Sequence, residues 1–195
     1  MNTRWHEFLA IAYLFSPLLV GLTIHGLCIK FGWFSFLTQP VDRGKTFRGK
    51  RIFGANKTYR GIVAVAAGTA LGFALQAFVL HEYEIFRQLE LLDYTSDKII
   101  DFGLIFGIAA MISELPNSFV KRQIGIAPGE AASGVSSWFF YVFDQLDFLI
   151  GAWAVLALFV SVSFERVAFS ALFIFVSHQM LSFFGYLLGI RETAR

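Results

Sequence analysis

The chain has 195 residues, 56% hydrophobic and only 15% charged, with a formal net charge of +2 and a mean hydropathy of +0.63. Soluble domains carry roughly 25% charged residues, so an ordinary soluble domain is excluded and an integral membrane protein is expected. The single cysteine, Cys28, excludes an internal disulfide and a thiolate metal site; on an apolar helix it reads as a small buried side chain.

A membrane-crossing helix needs about 20 predominantly apolar residues. Five stretches qualify, at 8–29, 61–80, 99–120, 138–160 and 167–190. The expected fold is therefore an all-α integral membrane protein with about five transmembrane helices. It forms one domain, 1–195, with loops at about 30–60 and 121–137. Residues 8–20 resemble a signal-peptide core, but the apolar run continues to about Cys28 without an obvious small-residue cleavage site, so a retained helix is expected. The 24 phenylalanines suit lipid-facing surfaces.

Orientation follows from the placement of Lys and Arg. Lys30, Arg43, Lys45, Arg48, Lys50, Arg51, Lys57 and Arg60 lie between the first and second spans, Lys121 and Arg122 follow the third, and Arg191 and Arg195 end the chain. These twelve share one side, against Arg4, Arg87, Lys98 and Arg166 on the other. That bias predicts an outer N-terminus, a cytoplasmic C-terminus and two cytoplasmic basic loops, in a cell (inner) membrane. The 81–98 loop is acidic instead, with Glu82, Glu84, Glu90, Asp93 and Asp97.

The first basic loop reads PVDRGKTFRGKRIFGANKTYRG over 40–61. One reading is an anchor to anionic lipid, each cation contributing about 1 kcal/mol near the surface. The other is phosphate binding: Gly44, Gly49, Gly54 and Gly61 let the backbone turn and approach a ligand. Asp42 and the Asn56-Lys57-Thr58 cluster stand among the cations. The spacing fits neither a P-loop nor a dinucleotide fingerprint, and both readings stay open.

The second span is rich in small residues. Gly68 and Gly72 form a GxxxG pair, as do Gly103 and Gly107 in the third span. Such pairs let helices approach closely, within one chain or at a homodimer seam.

The stretch 114–147 draws most attention, because Glu114, Asp144 and Asp147 stand in or beside apolar runs. Ionisable groups at membrane depth are costly and by default mark a functional site. Glu114, Ser118, Lys121 and Arg122 at i, i+4, i+7 and i+8 share a helical face, as do Asp144 and Asp147 at i, i+3. Counted from Trp138 at 1.5 Å per residue, the two aspartates lie about 10 Å below the boundary. Pro116 is expected to kink the helix beside Glu114, and Gly125, Pro128 and Gly129 to end it. His25 and His178 read as packed or helix-bridging residues and His6 and His81 as solvated ones.

Together, the loop 40–61 and the blocks ELPNSFVKRQIGI and DQLDF resemble the CDP-archaeol synthase family, the compact branch of the CTP:lipid-phosphate cytidylyltransferases. The wider group includes CDP-diacylglycerol synthase, whose signature similarly joins S-x-x-K-R to a later D-x-x-D. Here these are Ser118 to Arg122 and Asp144 to Asp147. Departures are Ser113-Glu114 where the family usually has Gly-Asp, Arg48-Gly49 where Asp-Gly is common, a longer spacer from Gly129 to Phe143, and no His-Gly-Gly before D-x-x-D.

The resemblance implies attack by a lipid phosphate on the α-phosphorus of CTP, releasing pyrophosphate. It implies Glu114, Asp144 and Asp147 as ligands of one or two Mg²⁺ ions, with Lys121 and Arg122 gripping phosphate. Asp42, Lys45, Arg51, Asn56, Lys57, Thr58, Arg60 and Ser118 would cradle CTP or the lipid headgroup. Expected partners are thus CTP, a lipid phosphate and the membrane, not nucleic acid. The rivals are a CTP-dependent polyprenol or phytol kinase and a non-catalytic protein that binds anionic lipid.

Overall fold

In hydrocarbon a lone chain satisfies its backbone hydrogen bonds only as a helix, and each of the five apolar runs becomes one. A computed structural model describes residues 3–94, 98–128, 130, 136–187 and 189. It contains α1 (Thr3–Lys30), α2 (Tyr59–Glu82), α3 (Ile99–Gln123), α4 (Ser136–Leu156) and α5 (Phe164–Leu187). All five are long and apolar enough to cross a membrane, as expected of a multi-pass membrane protein. Of the residues used above, Asp97, Gly129, Ile190, Arg191 and Arg195 lie outside the described ones, as does 131–135 of the second loop.

The helices pack in chain order, α1 on α2, α2 on α3 and α3 on α4, and α5 returns to α1. Both GxxxG pairs are used inside this chain. A methyl group at Gly68 would lie 2.7 Å from the Gly21 Cα, and one at Gly72 would lie 2.7 Å from the Pro17 Cα. Gly103 and Gly107 meet Ala70 and Ala66 in the same way, so these glycines set the α1–α2 and α2–α3 spacings. Not every phenylalanine faces lipid: Phe15, Phe73 and Phe106 are fully buried among α1, α2 and α3. The Phe106 ring meets Phe15 and Phe73 edge-on at 5.7 and 5.8 Å.

Polar ties are few and specific. Gln76 Nε2 donates to Tyr13 O at 2.5 Å and Ser16 Oγ at 2.9 Å, joining α2 to α1. Trp153 Nε1 donates to Ser170 Oγ at 2.9 Å, joining α4 to α5. Arg166 Nε donates to Glu7 Oε1 at 2.5 Å, joining α5 to α1.

Helix ends follow local sequence signals. Thr58 caps α2, its Oγ1 accepting from Gly61 N at 3.4 Å. Helix α3 runs unbroken through Pro116 to Gln123, and Gly125, at φ +89°, ends it. Ile126 N donates to Lys121 O at 2.9 Å and Gly125 N to Arg122 O at 3.2 Å, the paired bonds of a Schellman stop. Helix α4 ends at Leu156 rather than 160, in a turn where Val160 N bonds Leu156 O at 2.7 Å.

The first loop is folded more tightly than its glycines suggest. Val41 N bonds Lys57 O at 2.8 Å and Tyr59 N bonds Gln39 O at 3.2 Å, closing its neck. Within it, β1 (Thr46–Phe47) pairs antiparallel with β2 (Lys50–Arg51). Arg48 and Gly49 make the two-residue turn at φ +52° and +78°. Positive φ at both central positions is the type I′ pattern, which favours Asn-Gly or Asp-Gly.

Candidate active site

Asp42 organises the first loop. Its side chain is fully buried. Oδ1 accepts from Gly44 N at 2.9 Å and from Arg51 Nη2 at 2.5 Å, while Oδ2 accepts from Phe53 N at 3.0 Å. Burial alone would raise the carboxyl pKa, but the Arg51 hydrogen bond and the two backbone N–H groups outweigh it and hold the pKa below the ordinary value. Asp42 and Arg51, expected on a ligand, spend their facing polar atoms on each other, while Arg51 Nε is buried without a partner. Lys45 remains exposed, at a cavity of about 360 Å³ that Arg43 and Tyr59 also line. Asn56 is exposed too.

The loop docks on the end of α3. Gly54 N donates to Ser118 Oγ at 3.2 Å, Lys50 Nζ to Gln123 O at 2.5 Å, and Gln123 Nε2 to Arg51 O at 3.2 Å. The Phe47 and Phe119 rings lie 5.8 Å apart. Ser118 and Thr58, expected on a ligand, are engaged in this joint and in the α2 cap respectively. Lys57 reaches inward and pairs with Glu114 of α3. Burial pulls its ammonium pKa down, but the charge and hydrogen bond of Glu114 override this and the net shift is upward.

The acids of α4 also meet α3. Asn117 Nδ2 donates to Asp144 Oδ1 at 2.7 Å and to Asp147 Oδ2 at 2.9 Å, so one amide holds both carboxylates. Lys121 Nζ pairs with both oxygens of Asp144 and lies 5.6 Å from the Phe140 ring centroid. The Asp144 side chain is 40% exposed, whereas Asp147 is 4% exposed and its Oδ1 has no hydrogen-bond partner. Arg122 is buried as well, with Nε and Nη1 unpartnered. A buried carboxylate oxygen and a buried guanidinium without partners are each costly; a cation and an anion respectively would satisfy them.

Among the described residues no three acids converge as a ready metal cage; Lys57 pairs with Glu114 and Lys121 with Asp144. The donor set nevertheless fits a hard cation: every candidate ligand is a carboxylate oxygen, and Asp147 Oδ1 is left open.

The family model for CDP-archaeol synthase (CarS-like) matches residues 11–194. The chain belongs to the CDP-archaeol synthase family. Relatives bearing that name include those of Methanocaldococcus jannaschii, 32% identical over 79% of this chain and 82% of the relative, and Saccharolobus solfataricus, 33% identical over 79% and 80%. A solved structure described as an intramembrane enzyme for archaeal membrane lipid biosynthesis superposes with a TM-score of 0.61. It covers 86% of this chain and 89% of that one at 23% identity, a likeness of fold.

This member of the CDP-archaeol synthase family thus brings Lys57, Glu114, Asn117, Lys121, Asp144 and Asp147 together where the first loop, α3 and α4 meet. Asn117 is the residue that sequence reasoning missed. Its signal was its place three residues after Glu114, on a helical face otherwise bearing acids and cations. His25 is expected to pack or to bridge helices. Its imidazole lies 3.3 Å from where a Gly61 methyl would stand, and within electrostatic reach of Glu114, Arg60 and Lys57.

Proposed function

We propose that the cluster of Glu114, Asp144, Asp147, Lys57, Lys121 and Arg122 is the active centre of this enzyme. The reaction is that of the family: CTP-dependent transfer of a cytidylyl group to a lipid phosphate, giving a CDP-activated lipid. The observation that carries the assignment is the Asn117 amide on both α4 carboxylates, which joins the two sequence blocks into one charged site beside a basic loop. Family membership favours this reaction over lipid-kinase chemistry and over a purely lipid-binding role.

An oxygen of the lipid phosphate attacks the α-phosphorus of CTP, the bond to the α–β bridging oxygen breaks, and pyrophosphate leaves. Two anions must meet in line, so the protein's task is charge neutralisation and alignment. Lys121 and Lys57 supply mobile ammonium groups that exchange a carboxylate partner for phosphate oxygens, and the unpartnered Arg122 offers a planar fork to the same groups. Glu114, Asp144 and Asp147 would hold Mg²⁺, which when bound screens the phosphates and polarises the reacting phosphorus. Asn117 holds the aspartates in place as each ammonium leaves. No general base is needed, because a lipid phosphate is already ionised at neutral pH. The Lys/Arg bias of the loops supports a site on the cytoplasmic side of the cell membrane, and the relatives' name supports an archaeol-type acceptor.

The test is incubation of detergent-solubilised protein with Mg²⁺, ether- and ester-linked lipid phosphates, and CTP labelled separately on cytidine and on the γ-phosphate. Cytidine label in the lipid phase, lost on chelation and restored by Mg²⁺, is the expected result. Label entering lipid only from the γ-position overturns it.

A further inference from the structure

The turn that opens the first loop carries two cations that the acid cluster does not use. Asp42 to Lys45 is closed by a bond from Lys45 N to Asp42 O at 2.8 Å, with Arg43 and Gly44 at φ +49° and +78° between them. Two successive positive φ values suit Asn-Gly better than Arg-Gly, and a non-glycine residue held there is strained. Arg43 lines the cavity of about 360 Å³, its guanidinium 6.0 Å from the Tyr59 ring centroid. Lys45 lines the same cavity. Both cations are exposed, and among the described residues neither has an acidic partner. Asp42, the acid of the lining, is committed to Arg51, Gly44 N and Phe53 N. The cavity therefore presents two uncompensated charges beside Val41, Ile52 and Tyr59. Its volume is in the range of small-ligand sites, about 300–1,000 Å³.

Depth identifies the kind of anion. Tyr59 is the first residue of α2, so the cavity lies where the chain enters hydrocarbon. Upstream, Phe31, Trp33 and Phe36 are exposed between α1 and the loop, and such aromatics settle at the membrane–water interface. The anion at hand at that level is the headgroup of an anionic phospholipid, which nearby Lys and Arg side chains attract. A zwitterionic headgroup would bring its own ammonium against Arg43 and Lys45. The cavity wall is also tied to the acid cluster. Val41 N bonds Lys57 O, Tyr59 N bonds Gln39 O, and Lys57 pairs with Glu114.

We propose that this cavity binds an anionic phospholipid of the surrounding bilayer, its phosphate on Arg43 and Lys45, and that this lipid steadies the loop that carries Lys57. The lipid is a ligand and not a reactant: it sits on the loop, apart from Glu114, Asp144 and Asp147, and is not consumed.

The experiment compares wild type with Arg43→Asn and with Arg43→Asn/Lys45→Gln, asparagine being a residue that this turn favours. Native mass spectrometry of detergent-solubilised protein, titrated with phosphatidylglycerol or phosphatidylcholine, reads the lipid retained. Phosphatidylglycerol affinity is expected to fall about fivefold for each cation removed, with phosphatidylcholine unaffected, and CTP is expected to leave the phosphatidylglycerol bound. Hydrogen exchange in nanodiscs is the second readout. Replacing pure phosphatidylcholine by an equal mixture with phosphatidylglycerol is expected to slow exchange at the Val41 and Tyr59 amides in wild type and not in the double variant. Equal phosphatidylglycerol affinity in wild type and double variant, or amide exchange indifferent to the lipid, overturns the proposal. Release of the retained lipid by CTP also overturns it, by giving the cavity to the nucleotide. Neither readout requires turnover, so failure of the cytidylyl-transfer assignment leaves this test intact.

Discussion

Two carboxylate centres lie by the same helix end, and they are built to opposite rules. Around Asp42 three donors from its own loop use both oxygens. Around Asp144 and Asp147 one amide bridges two acids, one lysine covers the more exposed acid, and a buried oxygen is left without a partner. In the first centre both carboxylate oxygens are used by its own chain. The second is incomplete by itself, the pattern the active-centre proposal uses.

The sharpest way to break this contrast is to neutralise one acid in each centre. Asp144→Asn is expected to lower cytidylyl transfer by about 10³-fold, the upper range for removing one electrostatic group from a preorganised site, while the melting temperature stays near that of wild type. Activity retained in the folded variant would remove Asp144 from the reaction. Asp42→Ala should do the reverse first: with Arg51 left facing a void, a loss of about 3 kcal/mol of loop stability follows. Proteolysis within 43–53 would report it before activity in the remaining folded protein falls.

Acid sharpens the same contrast. The Asp42 pKa is lowered in the fold, so its stabilising contribution is complete above the ordinary value of 3.8 and lost as pH falls through the lower folded value. Hydrogen exchange at the Gly44 and Phe53 amides should rise in that window in wild type and show no such step in Asp42→Asn.

A smaller effect is expected at Asn117, which holds the acids without touching the reacting phosphates. Asn117→Leu should cost about 10- to 100-fold in activity, the range for groups that orient ligating carboxylates, and should raise the Mg²⁺ concentration for half-maximal rate. An unchanged Mg²⁺ requirement would make its role one of packing only. The smallest effect belongs to the hairpin. Arg48→Asn relieves a positive φ and is expected to raise stability by up to about 1 kcal/mol with kcat unaltered.

Much of this was legible in the residues. Five apolar runs of spanning length became five helices, and Gly125 ended α3 where a helix-breaking glycine should. Glu114, Lys121, Asp144 and Asp147 met because acids and cations at membrane depth have few other solutions. The hold of Asp42 on its own loop was not legible, because a carboxylate among glycines and cations looks the same whether it serves a ligand or its own backbone. Asn117 was missed because a neutral amide carries no charge signal. The hairpin was invisible because two strands of two residues have no periodicity to detect. Phe15, Phe73 and Phe106 showed that a Phe-rich span does not reveal which rings face lipid and which fill the core.

The closed neck of the first loop has a consequence for how such a protein can change. Chain enters at Gln39–Val41 and leaves at Lys57–Tyr59, hydrogen-bonded side by side. The α1–α2 spacing, fixed by Gly21, Gly68 and Pro17 within the helices, is therefore independent of what the intervening residues contain. The loop is a cassette with fixed points: its turn at 46–49 can vary while the neck and the bonds of Lys50, Arg51 and Gly54 to α3 are kept. Variation in the loop can thus arise without moving α1 against α2, and chimaeras cut at 41 and 57 are the natural units for testing it.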